Sequence, residues 1–415
     1  MEAENIQLLK FTTAGNVDSG KSTLIGRLLY DSNALFQDQI SAVRESTNAK
    51  SEIGLDLAMF TDGLREERQM GITIDVAHRY FSTSKRKFII IDSPGHTQYT
   101  RNMITGASLA NVAIIIIDAS DGIKTQTKRH AYVASLLQIE HIIVCVNKMD
   151  LIAFSESKFK KAVEEFEVVM QKMGIEHAHF IPINALSGDN VVFKSDSMPW
   201  YNGLPLLEVL EKIEVNSDLD KGQIRFPIQT VIKSESTYYL GYGGKLASGM
   251  VQKGDEVVVL PSGKKSRIKS IRSTKGECNR AFAPMSIVIE LEHELQIGRG
   301  DMIAGVQHPP RNTCQFEAII CWMGDRHSVE KASYYLLHTS NEQSAAIEEV
   351  VYTVDIDTME QNTRSQTLSM NTFAKVLIRT ALPVFVDAYA DIKITGSIIL
   401  IDAATNETVA VGMIL

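Results

Sequence analysis

The chain has 415 residues, 44% of them hydrophobic and 22% charged, with a formal net charge of −8. That length suits about two to four globular domains, and no apolar run approaches the roughly 20 residues of a membrane helix. The acidic balance excludes a general nucleic-acid binder while leaving room for a local basic patch, and four cysteines without a Cys-x-x-Cys pair suggest neither a disulfide framework nor a zinc site.

The N-terminus, Met1-Glu2-Ala3-Glu4-Asn5, is acidic and lacks the basic stretch and cleavage site of a signal peptide, which predicts a cytoplasmic protein whose thiols are free and buried. Leu8 to Thr13 is a predicted strand. Gly15-Asn16-Val17-Asp18-Ser19-Gly20-Lys21-Ser22-Thr23 follows it, and Leu24 to Leu29 opens an apolar helix. A strand, this glycine-bracketed loop and a helix are the context of a phosphate-binding P-loop. The glycines let successive backbone N–H groups turn inward at phosphate oxygens, and the helix N-terminus adds partial positive charge. Lys21 can reach the β- and γ-phosphates and Ser22 can ligate Mg²⁺. Asp18 either positions a water or counter-ion near the bridging oxygen or makes a simple loop hydrogen bond.

Further along, Gly71-Ile72-Thr73-Ile74-Asp75 carries Thr73, the candidate switch residue that closes over Mg²⁺ and the γ-phosphate. The apolar strand Lys87 to Ile91 delivers Asp92-Ser93-Pro94-Gly95-His96 at its carboxyl end, where a parallel sheet presents ligand groups. Asp92 can hold Mg²⁺ through water, Gly95 offers an N–H to the γ-phosphate, and His96 can orient the attacking water. Val112 to Asp118 and His141 to Asn147 are strands, and Asn147-Lys148-Met149-Asp150 ends the second of them. Asp150 can accept from guanine N1–H and its exocyclic amine, Asn147 can meet the opposite edge, and the Lys148 stem can cover the ring. Phe180 to Asn184 is a further strand. Asn184-Ala185-Leu186 stands where a base loop is needed, with the Ala185 N–H available to the guanine oxygen.

These strands are apolar at consecutive positions, as in a parallel sheet covered on both faces; Thr125 to Leu137 and Ser155 to Met173 have helical apolar spacing between them. The composition turns polar at Asn216 to Gly222, which sets a first boundary. Brief strands with turn signals follow, such as Glu256 to Leu260, then Pro261-Ser262-Gly263, then Ser266 to Ile271, reading as an antiparallel barrel or sandwich. His308-Pro309-Pro310 breaks the chain before a second all-β region with Phe316 to Cys321, Ala346 to Val354, Phe373 to Ile378 and Ser397 to Ile401 as its clearest strands. The predicted domains are 1–218, 219–308 and 309–415. Three weaker features remain. The basic stretch Lys264-Lys265-Ser266-Arg267-Ile268-Lys269 reads as a solvated hairpin before an acidic or RNA partner surface; His177 and His179 lack a third metal ligand; Trp200 and Tyr201 either pack the sheet end or dock a partner.

With these motifs in place the chain resembles the translation-factor class of GTPases, the elongation factor Tu relatives that carry two β-barrels after an α/β P-loop domain. Within that class it is similar to the GTPase subunits of bacterial sulfate adenylyltransferase. The likeness rests on Asp62-Gly63-Leu64, Glu67-Arg68, residues 71–77, Arg79-Tyr80-Phe81-Ser82-Thr83, Lys85-Arg86-Lys87-Phe88, Asp92 to Met103, Thr105-Gly106-Ala107-Ser108 and Met198-Pro199-Trp200-Tyr201. It recurs at Leu246-Ala247-Ser248-Gly249, Leu260-Pro261-Ser262-Gly263 and Arg299-Gly300-Asp301, thins after residue 310, and returns at Thr395-Gly396-Ser397. The resemblance implies a heterodimer in which this subunit hydrolyses GTP, with Mg²⁺, to drive adenosine 5′-phosphosulfate and diphosphate formation from ATP and sulfate on a smaller partner subunit. One P-loop and no His-x-Gly-His transfer signature agree with an adenylyl-transfer site placed mostly on that partner. Asn184 stands where Ser is expected, Leu240 where a basic residue is, and Ile392 where a polar one is. A competing reading is an elongation-factor-like carrier of aminoacyl-tRNA or another RNA ligand; the strand pair Arg79 to Lys87, the stretch Gln98 to Met103 and the acidic charge argue against it. A third is a GTP-gated scaffold that has lost the coupling.

Overall fold

The structure, a computed structural model, describes residues 7–35, 38, 41, 57–60, 75–215, 222–234, 239–328, 332–364 and 367–415. The chain divides into two compact units, Met1–Val215 with Ile356–Met359, and Asn216–Asp355 with Glu360–Leu415. The polar stretch Asn216 to Gly222 falls at this division, and all of it except Gly222 lies outside the described residues.

The first unit is built on β1 (Leu8–Gly15), α1 (Lys21–Asp31), β2 (Ala77–Ser82), β3 (Lys87–Asp92), α2 (Thr100–Ala107), β4 (Val112–Asp118), α3 (Thr125–Leu136), β5 (His141–Asn147), α4 (Glu156–Met173), β6 (His179–Pro182) and α5 (Leu206–Lys212). The sheet order is β2-β3-β1-β4-β5-β6, parallel throughout except for β2, which runs antiparallel to β3. Six consecutive residues of β4, Val112 to Ile117, are at most 1% exposed. Only a central strand covered on both faces can bury such a run, and each of its valine and isoleucine side chains contributes about 1.5–3 kcal/mol by leaving water. Because β1 pairs with β3 on one side and β4 on the other, the strand order reverses there and a crevice opens at their carboxyl ends. The phosphate loop and Asp92 both emerge into that crevice.

Helix ends follow local chemistry. Ser155 accepts the Lys158 N–H at the start of α4, and Gly174, at φ 69°, closes its other end. Buried Arg86 donates to the carbonyls of Leu210 (3.0 Å) and Ile213 at the end of α5, and to Gln7 Oε1 at 2.8 Å, so the β2–β3 hairpin is tied to that helix. Trp200 donates to the Phe154 carbonyl at 3.0 Å and lies 5.4 Å from the Phe159 ring, while the Tyr201 hydroxyl donates to Leu204 O at 3.2 Å. Both aromatics therefore pack the end of the sheet. Burial raises the Tyr201 phenol to about 12.

The second unit holds two closed antiparallel barrels. The first is formed by β7 (Arg225–Ser234), β8 (Tyr239–Lys245), β10 (Glu256–Leu260), β11 (Lys264–Ser273), β14 (Ser286–Leu291) and β15 (Met302–Gly305), in the order β10-β15-β7-β8-β14-β11 and closed by β10 on β11. β12 (Gly276–Cys278) extends β11, and β9 (Met250–Gln252) pairs with β13 (Arg280–Phe282). The second barrel uses β16 (Arg311–Trp322), β17 (Tyr334–His338), β18 (Asn341–Val354), β20 (Phe373–Val386), β21 (Ser397–Asp402) and β22 (Thr408–Ile414), in the order β17-β21-β22-β16-β20-β18 and closed by β17 on β18. Closure leaves these strands without open edges. β19 (Gln361–Asn362) extends β18.

The long strands exceed the sequence expectation: β20 runs to Val386, not Ile378, because a register shift near Thr313–Gln315 lets β16 and β20 stay paired through a bend. At the other extreme β6 stops at Pro182 rather than reaching Asn184, which turns away to bridge Asp189. Three of the five basic residues of strand β11 have acidic neighbours. Glu256 stands opposite Arg267, Glu277 opposite Arg272, and Lys269 pairs with Glu290 at 2.6 Å. That supports the solvated-hairpin reading. Cys145 and Cys321 are buried, whereas Cys278 and Cys314 are partly exposed, a correction to the expectation that all four thiols are buried.

The barrels share a buried ion pair. Arg225 of β7 donates from Nε and Nη2 to the two carboxylate oxygens of Asp387, each at 2.8 Å, and from Nη1 to the His308 carbonyl at 2.7 Å. Asp387 also accepts from the Thr395 hydroxyl at 2.6 Å, and His338 Nε2 donates to the Thr395 carbonyl at 2.8 Å. Ile392, at 4% exposure, packs in the interior, which is why an apolar residue serves at that position. Among the described residues no helix is long and apolar enough to cross a membrane.

Candidate functional site

The loop between β1 and α1 is shaped by its own backbone. Asp18 at φ 63° and Gly20 at φ 92° are left-handed, and an added Cβ at Gly20 would stand 2.4 Å from Asn147 Nδ2. Only glycine fits there. Ser19 Oγ donates to the Asn16 carbonyl at 2.8 Å, closing the turn. Lys21, the first residue of α1, is buried, and its ammonium donates to the carbonyls of Gly15 (3.3 Å) and Asn16 (2.7 Å). Burial lowers it to about 8, with Asp92 and Asp18 opposing the shift. A desolvated cation at a helix N-terminus is a strong attractor for phosphate.

A cavity of about 340 Å³ lies over this loop, lined by Val17, Asp18, Gly20, Lys21, Ser22, Thr23, Ala58, Gly95, His96 and Lys148. The structure thus gathers Asp18, Lys21, Ser22, Thr23, Gly95, His96 and Lys148, read from three separate motifs, around one space. Gly95 approaches so closely that an added Cβ would meet Lys21 Nζ at 2.4 Å and the Gly15 carbonyl at 3.0 Å. Asp92, 1% exposed, accepts from the Thr13 hydroxyl at 3.3 Å, and Ser93 Oγ meets Thr12 Oγ1 at 3.0 Å. Pro94 is buried beside them. A carboxylate and the Ser22 hydroxyl are hard oxygen donors of the kind Mg²⁺ takes, so the donor set fits that ion. His96 is half-exposed; its Nδ1 accepts the Gln98 N–H at 3.3 Å. Thr73 lies outside the described residues.

The base-reading motifs meet behind the loop. Buried Asn147 donates from Nδ2 to the Ser19 carbonyl at 2.8 Å and accepts from the Ala185 N–H at 2.9 Å. It joins the phosphate loop to the segment 184–186. In this arrangement the Ala185 N–H is held by Asn147, and the Leu186 N–H donates to Asn184 Oδ1 at 3.1 Å. The asparagine side chain closes a short turn there, as a serine would. Lys148, left-handed at φ 60°, forms an ion pair with Asp118 at 2.8 Å. Met149 is buried, and Asp150 and Leu186 face solvent.

Two side chains went unread in the sequence. His130 of α3 is fully buried and its Nδ1 accepts the Gly15 N–H at 2.8 Å; burial lowers it to about 3, aided by Lys21 and Arg129, so it stays neutral. Arg27, buried in α1, donates to the carbonyls of Ala185 at 3.2 Å and Leu186. For Arg27 the available signal is a charge inside the buried run Leu24 to Leu29; His130 shares its buried face with Gln126 and Thr127 and carries no such signal.

A P-loop crevice in an α/β unit followed by two antiparallel barrels is the architecture of a translation-factor GTPase. The description "Elongation factor Tu GTP binding domain" matches residues 6–216 and "GTP-eEF1A C-terminal domain-like" matches 315–415. The chain is 47% identical over 414 residues to a sulfate adenylyltransferase subunit 1 of Bacteroides fragilis, covering 99% of this chain and 87% of that one. It is 46% identical to a bifunctional enzyme CysN/CysC of Mycobacterium tuberculosis, covering 98% and 67%. A solved Ski7 GTPase-like domain from S. cerevisiae, bound to GTP, superposes with a TM-score of 0.54 at 18% identity over 99% of this chain and 97% of that one, a likeness of fold alone. The chain belongs to the sulfate adenylyltransferase subunit 1 family.

Proposed function

We propose that this chain is the GTP-hydrolysing subunit of a sulfate adenylyltransferase, coupling GTP hydrolysis to formation of adenosine 5′-phosphosulfate and diphosphate from ATP and sulfate. The carrying observation is near full-length identity of 43–47% to relatives named sulfate adenylyltransferase subunit 1. A subunit 1 works with a second subunit; here that is a smaller, ATP- and sulfate-binding partner in a heterodimer.

In this reading the phosphate chain of GTP occupies the cavity over α1. Lys21 trades its carbonyl partners for phosphate oxygens, the Gly95 N–H meets the γ-phosphate, and His96 holds the attacking water. Ser22, Asp92 and Thr73 would hold Mg²⁺, which neutralises phosphate charge when bound. Asn147 fixes the base segment, and Asp150 reads the guanine edge.

Co-expression with the small-subunit partner tests the proposal: adenosine phosphosulfate formation should rise when GTP is supplied. A complex whose rate ignores GTP would remove it in favour of a scaffold that has lost the coupling, and no complex at all would favour the RNA-carrier reading.

Lys21 also predicts a pH profile. Its folded-state ammonium sits at about 8, and an adjacent phosphate restores the charged form, so nucleotide uptake above that pH carries in a proton. GDP affinity should be level below about pH 8 and fall above it, by up to about tenfold per unit. Calorimetry from about pH 7 to 9 reads this directly; a level profile would mean Lys21 is not the phosphate contact.

A further inference from the structure

We infer that Arg27 is a positioning residue for guanine recognition, clamping the base segment 184–186 to the same helix that begins with the phosphate-gripping Lys21. The inference rests on the reading of residues 184–186 as the guanine loop.

Arg27 lies six residues after Lys21 on α1, about 9 Å further along the helix axis. Its side chain is 4% exposed. Nε donates to the Ala185 carbonyl at 3.2 Å, Nη2 donates to the Leu186 carbonyl, and Nη1 reaches Asp31 at 3.3 Å. The guanidinium carbon sits 6.0 Å from the Tyr30 ring centre. The segment also wraps the stem: at Gly188, φ 93°, an added Cβ would lie 3.1 Å from Asp31 Oδ2 and 3.3 Å from Arg27 Cδ. The Ala185 and Leu186 carbonyls are thus held by α1, while the Leu186 N–H, in the plane of the Ala185 carbonyl, is held by Asn184 and the Ala185 N–H of the preceding peptide by Asn147.

A carbonyl and the N–H of the same peptide plane turn together, so fixing the oxygens fixes where the donors can point. A planar guanidinium suits this task because its donors are set in one rigid fork. Asn147 alone would leave the segment tethered at one edge. With Arg27 on the Ala185 carbonyl, the Leu186 N–H of that same peptide keeps its orientation as it trades Asn184 Oδ1 for the six-position oxygen of guanine. Phosphate grip and base reading then share one rigid element, with α1 as the ruler between them.

The test compares GDP, 6-thio-GDP, whose sulfur is a poor acceptor at the same position, and IDP, which lacks the two-amino group read by Asp150. Wild-type protein should prefer GDP over both. Arg27→Ala should lose about 10- to 100-fold for GDP, the size of a hydrogen bond to a charged group, and much less for 6-thio-GDP, while the GDP-to-IDP ratio stays at its wild-type value. Arg27→Lys, which offers a point charge instead of a fork, should fall between. Arg27→Gln, which keeps the stem, gives the same comparison should the alanine variant fold poorly, with thermal unfolding as the check. Equal losses for all three nucleotides, or an unchanged GDP-to-6-thio-GDP ratio, would overturn the role of Arg27. If wild-type protein itself shows no preference for GDP over 6-thio-GDP, the assignment of the guanine loop fails instead.

Discussion

Asp150→Asn is expected to turn the site from guanosine toward xanthosine nucleotides. The backbone leading into Asp150 is fixed: Lys148 holds a left-handed conformation anchored by its ion pair to Asp118, and Met149 is buried. The carboxylate is therefore presented in one direction, exposed and ready to accept from guanine N1–H and the two-amino group. An amide in its place presents one acceptor and one donor, which meets N1–H and the two-oxo group of xanthine but sets two donors face to face with guanine. Sites built to hydrogen-bond a particular edge discriminate by up to about 10⁴-fold. GDP and XDP affinities by calorimetry should cross over between wild type and variant. GDP binding that survives the change intact would show that the base is read elsewhere.

His96→Ala is expected to slow GTP hydrolysis by about 10²-fold while a non-hydrolysable analogue binds nearly as before. The geometry also narrows how His96 acts. Its Nδ1 accepts from the Gln98 N–H, so the ring proton sits on Nε2. Such a ring holds a water by donating to its oxygen and so orients it, rather than removing its proton. Single-turnover hydrolysis beside analogue titration separates the two effects; matched losses would make His96 a residue of loop structure.

The parallel sheet, the central strand β4 and the phosphate loop are written in short-range pattern: consecutive apolar residues, glycine spacing and a helix start. Those signals survive without knowledge of neighbours. The clamps around the site are not of that kind. Arg27 finds Ala185 across 158 residues and His130 finds Gly15 across 115, contacts that exist only once the helices are laid on the sheet. Their sequence trace is faint, a charge inside a buried run for Arg27 and one polar residue among several for His130, and both fit ordinary surface residues as well. Asn147 shows an intermediate case. Its motif marked the residue, while its bond to the Ser19 carbonyl, which joins two loops, required the fold. In the barrels, the strand cores were legible and their lengths were not, because bulges such as that near Thr313 carry pairing onward past residues of low strand preference.

The pair Arg225–Asp387 bears on how this chain can be cut and recombined. The two residues are 162 positions apart and lie in different barrels of the second unit. Severing the chain between the barrels strands a buried cation on one fragment and its carboxylate on the other, a loss of about 3–5 kcal/mol when one partner goes missing. That is a large share of the roughly 5–15 kcal/mol that holds a domain folded. Keeping this pair whole therefore requires both barrels on one chain.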